Sequence, residues 1–322
     1  MINYDISHKN NISVVVPFYN RSVFLERILN SISKQLLKPQ EIYIVDNGSS
    51  IEESYKAWRI LKSHSLFDIC TYVSSINIGN ANFARNLGFN LSKTNYVAFL
   101  DSDDWWNKNH LSESVRALKK TNMAAVYSAA IIHMPAFVKI NRSIDVNFFD
   151  NPFSLVLSEK GYLAQTSSYV VCKNELIGKV LWDERLKRHQ DFDYFAQIFF
   201  QTKGWVFLDQ ANVNVDWDNG GASKKYIDSS SLIFFYEKWN SFIPEKIKKS
   251  YLLGMLRFSY KSGSRIDLRK YYHKKIIAEN YFGDSFYRFK SSKIAVCFYL
   301  LVVCFLDVFR FKEFVRIFIN KF

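Results

Sequence analysis

The chain has 322 residues, 48% of them hydrophobic, so it is long enough to build a large core. Its polar start, MINYDISHKNN, predicts a cytoplasmic chain without a signal peptide, and its four cysteines form no CxxC pair, which argues against a disulfide scaffold or a cysteine zinc site. The net charge of +13 is concentrated in residues 231–322, which contain 18 Lys and Arg but only 7 Asp and Glu. Because this region is also rich in Phe and Tyr, we expect its partner to be a membrane surface rather than nucleic acid.

Strands and helices alternate through the first hundred residues. The apolar runs that predict buried strands cover residues 12–20, 41–50, 69–73 and 96–100. The segments that predict helices between them cover residues 21–36, 52–62 and 80–93. This alternation predicts a parallel sheet with right-handed crossovers, in which ligands bind beyond the carboxyl ends of the strands.

After residue 107 the pattern is looser. Residues 124–133 predict another strand, and residues 192–204 predict a helix that ends at Gly204. Residues 231–322 have helical periodicity with few Gly or Pro. We therefore expect two regions: an α/β domain over 1–228 and a basic, aromatic-rich helical region over 229–322.

Three carboxylates follow the fourth predicted strand in the stretch FLDSDDWW: Asp101, Asp103 and Asp104. Carboxylates this close repel one another unless a cation lies among them. Asp residues at i and i+2 supply hard oxygen ligands, which suit Mg²⁺ or Mn²⁺ better than zinc. The alternative is an ordinary strand end whose Asp caps the helix that begins near residue 108.

Four motifs occur in order along the chain: VVVPFYNR, IVDNGSS, NIGNANFARNLGFN and FLDSDDWW. Together they resemble the glycosyltransferase family 2 enzymes over residues 12–220. The resemblance implies the α/β GT-A fold, a mixed and mostly parallel sheet flanked by helices, here with a helical C-terminal extension. It also implies a metal-dependent, inverting transfer of a hexose from a UDP-sugar to a saccharide acceptor.

The resemblance assigns roles to individual residues. It places the donor nucleotide against Pro17, Tyr19, Asn20, Arg21, Asp46, Asn47, Arg85 and Ser102. It gives the divalent cation, Mn²⁺ or Mg²⁺, to Asp101 and Asp103. Many members have Asp where this chain has Asn47, and that carboxylate accepts the N3–H of uracil. An amide oxygen also accepts this bond, but its NH₂ group admits other bases.

The general base is expected in the stretch RHQDFDYF, which resembles the Glu-Asp motif of the family with Gln190 in place of Glu. An inverting transferase needs one base to remove the proton of the acceptor hydroxyl. Asp191 matches that position, and Asp193 is the alternative. The positive end of the helix lowers the pKa of such a carboxylate, whereas burial raises it, so the sequence does not decide the value.

Six further residues are secondary candidates for contacts with the metal, sugar, phosphates or acceptor: Asp104, Asn82, Trp106, His189, Asp193 and Lys224. Each also has an ordinary explanation, because a tryptophan packs under loops, a single histidine is often structural, and a Gly-rich basic loop such as the one around Lys224 is often simply solvated. Arg85, likewise, would form a surface ion pair if its role were only structural.

The C-terminal stretch IAVCFYLLVVCFL, residues 294–306, is uncharged and has 13 residues, fewer than the about 20 that a spanning helix needs. With the basic residues around it, this stretch predicts a helix lying on the anionic inner leaflet, so that the protein is peripheral on the cytoplasmic face of the inner membrane. This location suits a polyprenyl-diphosphate-linked acceptor from O-antigen-type or capsule-type polysaccharide synthesis. The alternative is packing against the catalytic domain or against a second copy in a homo-oligomer.

Two other functions remain as alternatives. A sugar nucleotidyltransferase would need a Gly-rich loop after the first strand, and PFYNRS has no glycine there. A catalytically idle peripheral binding protein would use only its basic, aromatic C-terminal region.

Overall fold

The computed structural model describes residues 11–141, 143–158, 162, 164–217, 228–261 and 266–279. The apolar stretch 294–306 and Lys224 lie outside the described residues, so the expectations for them stay predictions.

The first half of the chain alternates strands and helices as its sequence predicts. These elements are β1 (Ile12–Phe18), α1 (Ser22–Ser33), β2 (Glu41–Asp46), α2 (Ile51–Ser63), β3 (Cys70–Ser74), α3 (Ala81–Leu91) and β4 (Tyr96–Phe99). β1 pairs in parallel with both β2 and β4, and β2 pairs in parallel with β3. Every residue of β1 is buried, because helices cover both faces of a parallel sheet.

The second half adds short and antiparallel strands. Its elements are β5 (Trp105–Trp106), α4 (His110–Thr121), β6 (Ala125–His133), β7 (Val138–Asn141), α5 (Phe153–Val156), β8 (Val170–Cys172), α6 (Lys173–Leu176), α7 (Gln190–Gln201), β9 (Trp205–Asp216) and α8 (Ser229–Trp239). The helix predicted over 192–204 begins two residues earlier and ends at Gln201; Gly204 lies in the turn before β9 with a φ of +77°.

Within the described residues the strands form one sheet in the order β3-β2-β1-β4-β8-β6-β9-β5, with β7 paired to β6. β8 runs antiparallel to β4 and β6, whereas β6 and β9 are parallel. The prediction of a mixed, mostly parallel α/β sheet flanked by helices is confirmed. The carboxyl ends of β1, β2 and β4 meet at one edge of the sheet, where three of the four motifs end.

α3 packs directly against β1 because Gly88 faces the strand. A Cβ atom on Gly88 would lie 2.4 Å from Cγ1 of Val15, closer than any side chain tolerates. This contact sets α3 directly against the sheet and therefore brings Arg85, one turn earlier, to the carboxyl end of the strands.

The chain divides into two compact units, 1–247 and 248–322. α8 therefore belongs to the first unit, although the sequence places the boundary after residue 228. α9 (Glu245–Lys261) leads into the second unit, where it is followed by α10 (Ile266–Ala278). Within that unit Arg269 Nε donates to the carbonyl of Ser259 at 3.2 Å. No helix in the described part of the chain is long and apolar enough to cross a membrane.

Candidate active site

A pocket of about 510 Å³ opens at the carboxyl ends of β1, β2 and β4. The predicted site residues that line it are Pro17, Tyr19, Arg21, Asn47, Arg85, Asp101, Ser102 and Asp103. Gln190, the first residue of α7, lines it as well. The topology thus brings the predicted metal motif, most of the predicted nucleotide motifs and the start of α7, which carries the predicted base, together in one cleft.

Each carboxylate of the DxD pair faces an arginine. Asp103 Oδ2 lies 2.6 Å from Arg21 Nη1, and Asp101 Oδ1 lies 2.6 Å from Arg85 Nη2. Arg21 also donates to the hydroxyl of Ser102 at 3.5 Å. Burial raises the pKa of Asp103, as does the nearby Asp101, while the Arg21 guanidinium opposes the rise.

The donor set of Asp101 and Asp103 fits a hard divalent cation. Among the described residues no group of three or more His, Cys, Asp or Glu side chains could hold a metal ion. A cation held here would therefore take two carboxylates from the protein and complete its coordination with phosphate oxygens and water, as Mg²⁺ usually does in nucleotide sites. The alternative, in which an Asp of this cluster caps the next helix, is wrong, because α4 begins after Asn109.

Arg85 is buried rather than on the helix surface, with 2% of its area exposed. Its Nη1 donates to Asn82 Oδ1 at 3.0 Å, and its guanidinium lies 4.6 Å from the ring centroid of Trp182. Trp182 also stacks on Tyr194 of α7, with ring centroids 3.9 Å apart. Arg85 is thereby connected to both the DxD loop and the helix that carries Asp191.

Asp46, at the end of β2, uses its whole hydrogen-bonding capacity inside the protein. Its Oδ1 accepts from the N–H and the hydroxyl of Ser49 at 2.9 and 2.6 Å. Its Oδ2 accepts from the hydroxyls of Ser54 and Tyr72 at 2.7 and 2.5 Å. A carboxylate has about four lone-pair sites, and Asp46 has no exposed area, so it orders the loop after β2.

Asn47, in contrast, lines the pocket. Its Oδ1 accepts from the N–H of Ile78 at 3.1 Å, and its Nδ2 donates to the carbonyl of Asn80 at 3.3 Å. One lone pair and one N–H of the amide remain. These two backbone contacts also hold the amide in one orientation.

The loop after β1 is braced against the loop after β2. Asn20 has a left-handed φ of 48°, which asparagine tolerates better than most residues. Its N–H donates to Ser49 Oγ at 2.8 Å, and its Oδ1 accepts from Ser50 N–H at 2.9 Å. The neighbouring Tyr19 keeps 46% of its area exposed at the pocket, where its hydroxyl accepts from Asn77 Nδ2 at 3.2 Å.

Asp104 and Trp106 lie beneath the DxD loop. Asp104 accepts from Ser167 Oγ at 2.5 Å and from the N–H of Asp216 at 3.1 Å, and burial among the other carboxylates raises its pKa well above the usual value. Trp106 is 3% exposed and donates from Nε1 to the carbonyl of Ser167 at 2.7 Å. Of the two alternatives for Trp106, stacking on a sugar and packing under the loop, the structure shows the packing: its ring lies in the core.

Asp191 is the second residue of α7, which begins after His189 in a left-handed conformation with a φ of 56°. Burial raises the pKa of the Asp191 carboxyl to about 6. The backbone N–H groups at the start of the helix and the Arg85 guanidinium oppose this rise, whereas Asp101 adds to it. A carboxylate with this pKa is ionised at neutral pH and holds a proton more readily than an ordinary Asp.

Asp193 is fully buried and has three partners. Lys238 Nζ lies 2.6 Å from its Oδ1, Trp239 Nε1 donates to the same oxygen at 2.8 Å, and Gln197 Nε2 donates to Oδ2 at 2.6 Å. Burial raises the pKa of Asp193, and Lys238 opposes the rise. These contacts tie α7 to α8.

His189 and Asn82 also have roles in the packing. The His189 ring stacks on Phe192 with centroids 4.9 Å apart, and burial lowers its pKa to about 3. Asn82 is buried and donates to the carbonyls of Asp183 and Leu186 at 2.7 and 2.9 Å. It thereby holds the segment that precedes α7.

Three further residues support the site without any signal in the sequence. Ser167 Oγ accepts from the N–H of Asp101 at 3.1 Å and donates to Asp104. Arg27 Nη2 donates to the carbonyl of Asp103 at 2.6 Å, and Ser231 Oγ accepts from the N–H of Lys187 at 2.8 Å. All three act across long stretches of sequence, and no local motif marks them.

A family model and several known proteins are similar to this chain. The family model described as Glycosyl transferase family 2 matches residues 13–177, half of the chain. The chain belongs to glycosyl transferase family 2. Among its relatives in this family is the amylovoran biosynthesis glycosyltransferase AmsB of Erwinia amylovora, 30% identical over 189 residues. That match covers 56% of this chain and 61% of AmsB, so the chain spans less than two thirds of this relative.

Further similarities extend over more of the chain. The processive diacylglycerol beta-glycosyltransferase of Mycoplasma genitalium is 26% identical, with 70% of each chain covered. The structure of S. aureus TarS 1-349 in complex with UDP-GlcNAc has a TM-score of 0.58 at 15% identity and covers 88% of this chain and 93% of that one. The mannosyltransferase PcManGT from Pyrobaculum calidifontis, in complex with GDP-Man and Mn²⁺, has a TM-score of 0.52 at 15% identity, with 85% of each chain covered. These two likenesses establish the GT-A fold.

Proposed function

We propose that this protein is a metal-dependent, inverting glycosyltransferase that moves a hexose from a UDP-sugar to a saccharide acceptor. The observation that carries the proposal is the cleft in which Asp101, Asp103, Arg21 and Arg85 lie together beside the start of α7, where Asp191 follows Gln190. It unites a site for a nucleotide diphosphate with a candidate base.

The donor would bind along the loops after β1 and β2. Tyr19 offers an exposed ring at the pocket, and the amide of Asn47 has one lone pair and one N–H left for a ligand. An aromatic ring together with a hydrogen-bond donor and acceptor suits a nucleobase. Asp101 and Asp103 would hold Mn²⁺ or Mg²⁺, which supplies Lewis-acid neutralisation of the diphosphate leaving group. Arg21 and Arg85 are placed to hold these carboxylates and to contact phosphate oxygens.

The base would act from the N-terminus of α7. Asp191 takes the proton of the acceptor hydroxyl as that oxygen forms a bond to the anomeric carbon, and the bond from this carbon to the diphosphate oxygen breaks on the opposite side. Its pKa of about 6 leaves the carboxylate ionised at neutral pH. Asp193, whose oxygens are all engaged by Lys238, Trp239 and Gln197, is less suited to this role.

For the acceptor we propose a lipid-linked saccharide in polysaccharide synthesis at the cytoplasmic face of the inner membrane. Support comes from the names of two relatives, the amylovoran biosynthesis glycosyltransferase AmsB and the processive diacylglycerol beta-glycosyltransferase of Mycoplasma genitalium. The basic, aromatic C-terminal region also supports this proposal, because such a region suits an anionic lipid surface.

Thermal unfolding with UDP, GDP, CDP and dTDP, each with and without Mn²⁺, tests the proposal. A ligand that binds only the folded protein adds about 2.7 kcal/mol of stability at a hundredfold excess over Kd. We expect a shift with UDP that requires Mn²⁺ and disappears in D103N. A metal-dependent shift with another nucleotide would leave the proposed enzyme class in place and would replace uracil by another nucleobase in the donor. No shift with any nucleotide would refute the proposal and favour a binding protein with an idle sheet.

A further inference from the structure

The charged groups of the pocket neutralise one another. Arg21 pairs with Asp103 and Arg85 pairs with Asp101, both at 2.6 Å. A nucleoside diphosphate brings two to three negative charges, of which a divalent cation balances two. A further positive group at the pocket would therefore improve the binding of phosphate.

Lys187 lies close to this pocket. Gly79 lines the pocket, and a Cβ atom on Gly79 would lie 4.0 Å from Lys187 Nζ. The side chain of Lys187 is exposed. Its Nζ has no hydrogen-bond or ion-pair partner among the residues that the structure describes. Its ammonium is therefore available to a ligand.

The backbone on both sides of Lys187 is held in place. Asn82 Nδ2 donates to the carbonyl of Leu186 at 2.9 Å. Ser231 Oγ accepts from the N–H groups of Lys187 and Arg188 at 2.8 and 2.9 Å. One contact comes from α3 and the other from α8, so the segment is pinned between two helices while the lysine side chain stays free to reach the pocket.

We propose that Lys187 binds a phosphate group of the ligand in this pocket. The inference rests on the proposed function, because it takes the pocket to be the site of a nucleotide-sugar. A lysine suits this task because its ammonium is a compact charge on a flexible stem, and it does not need the rigid geometry of a guanidinium. The phosphate belongs either to the donor diphosphate or to a phosphorylated acceptor.

The test compares UDP with uridine in the full-length protein with Mn²⁺, by isothermal titration. We expect K187M to weaken the binding of UDP about tenfold, which corresponds to one charge-assisted contact. The affinity for uridine should not change, because uridine has no phosphate, and K187R should retain most of the affinity for UDP. The matched control is K120M. Lys120 is exposed at the end of α4, just before β6 begins, at the opposite edge of the sheet.

A second arm separates the two sources of phosphate. Inorganic phosphate is titrated into wild-type protein and K187M that are both saturated with UDP. Loss of phosphate binding in K187M with unchanged affinity for UDP would assign the contact to the acceptor side. If both affinities are equal in K187M and wild type, the inference is wrong while the proposed function stands. If wild-type protein binds no nucleotide, both are wrong.

Discussion

Arg85 of α3 donates to Asp101 of the DxD loop across 2.6 Å, and this pair lies at the centre of the candidate site. The arginine side chain is 3% exposed, whereas the aspartate side chain keeps 30% of its area exposed toward the pocket. The pair thus joins a buried cation to a carboxylate that a ligand can reach. Because the same guanidinium also lies over Trp182, its loss would disturb both the DxD loop and the packing beside α7.

Replacement of Arg85 by Met should lower the free energy of unfolding by about 3 kcal/mol, the usual cost of breaking a buried ion pair. It should also weaken nucleotide binding. Urea unfolding measures the first effect and titration with UDP the second. The control is R116M, because Arg116 pairs with Glu113 on the exposed face of α4 and its side chain is 73% exposed. That variant should change stability by less than about 1 kcal/mol. Equal losses in both variants would contradict the central role of Arg85.

The pKa of Asp191 predicts a particular dependence of stability on pH. The folded protein keeps this carboxyl protonated up to about pH 6, whereas the unfolded chain releases the proton near pH 4. The folded state therefore binds more protons between these values, and its stability falls as the pH rises through this window. D191N removes the fall, so it should be more stable than wild type by about 2 to 3 kcal/mol at pH 7 and equally stable below about pH 4.

The same residue predicts the activity profile. The proposed mechanism needs the carboxylate form of Asp191, so kcat/KM should rise with pH through about 6. D191N should bind UDP with Mn²⁺ as wild type does and should lack transfer. A D191N variant that retains turnover would disprove the assignment of the base.

Asp193 provides a matched comparison, two residues along the same helix. Its buried carboxylate has three partners, so D193N should lower the free energy of unfolding by about 3 kcal/mol, and K238M should do the same by leaving the carboxylate without its cation. Chemical unfolding at pH 7 of D191N, D193N and K238M gives the comparison. Destabilisation by D191N and tolerance of D193N would reverse the two roles.

The sequence predicts those parts of this site that depend on neighbouring residues. Apolar runs followed by polar clusters locate the carboxyl ends of β1, β2 and β4, and therefore Asn47, Asp101 and Asp103. The interior of the site depends on residues far away in the sequence. The DxD loop rests on Ser167, which lies 66 residues after Asp101 and carries no local signal.

The same limitation explains why the sequence does not show how Asp46 and Trp106 are held inside the protein. Asp46 has the residue type and position of a nucleotide ligand, but Tyr72, 26 residues later, takes one of its lone pairs. Trp106 follows the metal motif directly, yet its burial depends on a contact with Ser167. These two long-range contacts cannot be inferred from one sequence, because they depend on which segments the tertiary fold brings together.

Asn47 and Asp46 should respond differently to substitution. N47D should increase the preference for UDP over CDP, because a carboxylate accepts the N3–H of uracil and cannot donate to cytosine N3. D46N should instead destabilise the protein by about 2 kcal/mol, because an amide cannot accept all four of the hydrogen bonds to this side chain. Titration with the two nucleotides and urea unfolding test these outcomes. A change of base preference in D46N without loss of stability would assign base reading to Asp46.

The C-terminal stretch predicts attachment to an anionic membrane surface. Removal of residues 294–322 deletes the uncharged run 294–306 together with four basic residues, each worth about 1 kcal/mol at such a surface. Flotation with vesicles of anionic lipid should therefore recover the full chain but not the shortened one, and added salt or neutral vesicles should weaken the binding of the full chain. The shortened protein should still bind UDP, because its pocket lies wholly within residues 17–190. Persistent flotation of the shortened protein would disprove the anchor. If removal instead changes the mass measured by sedimentation, the stretch joins copies of the chain.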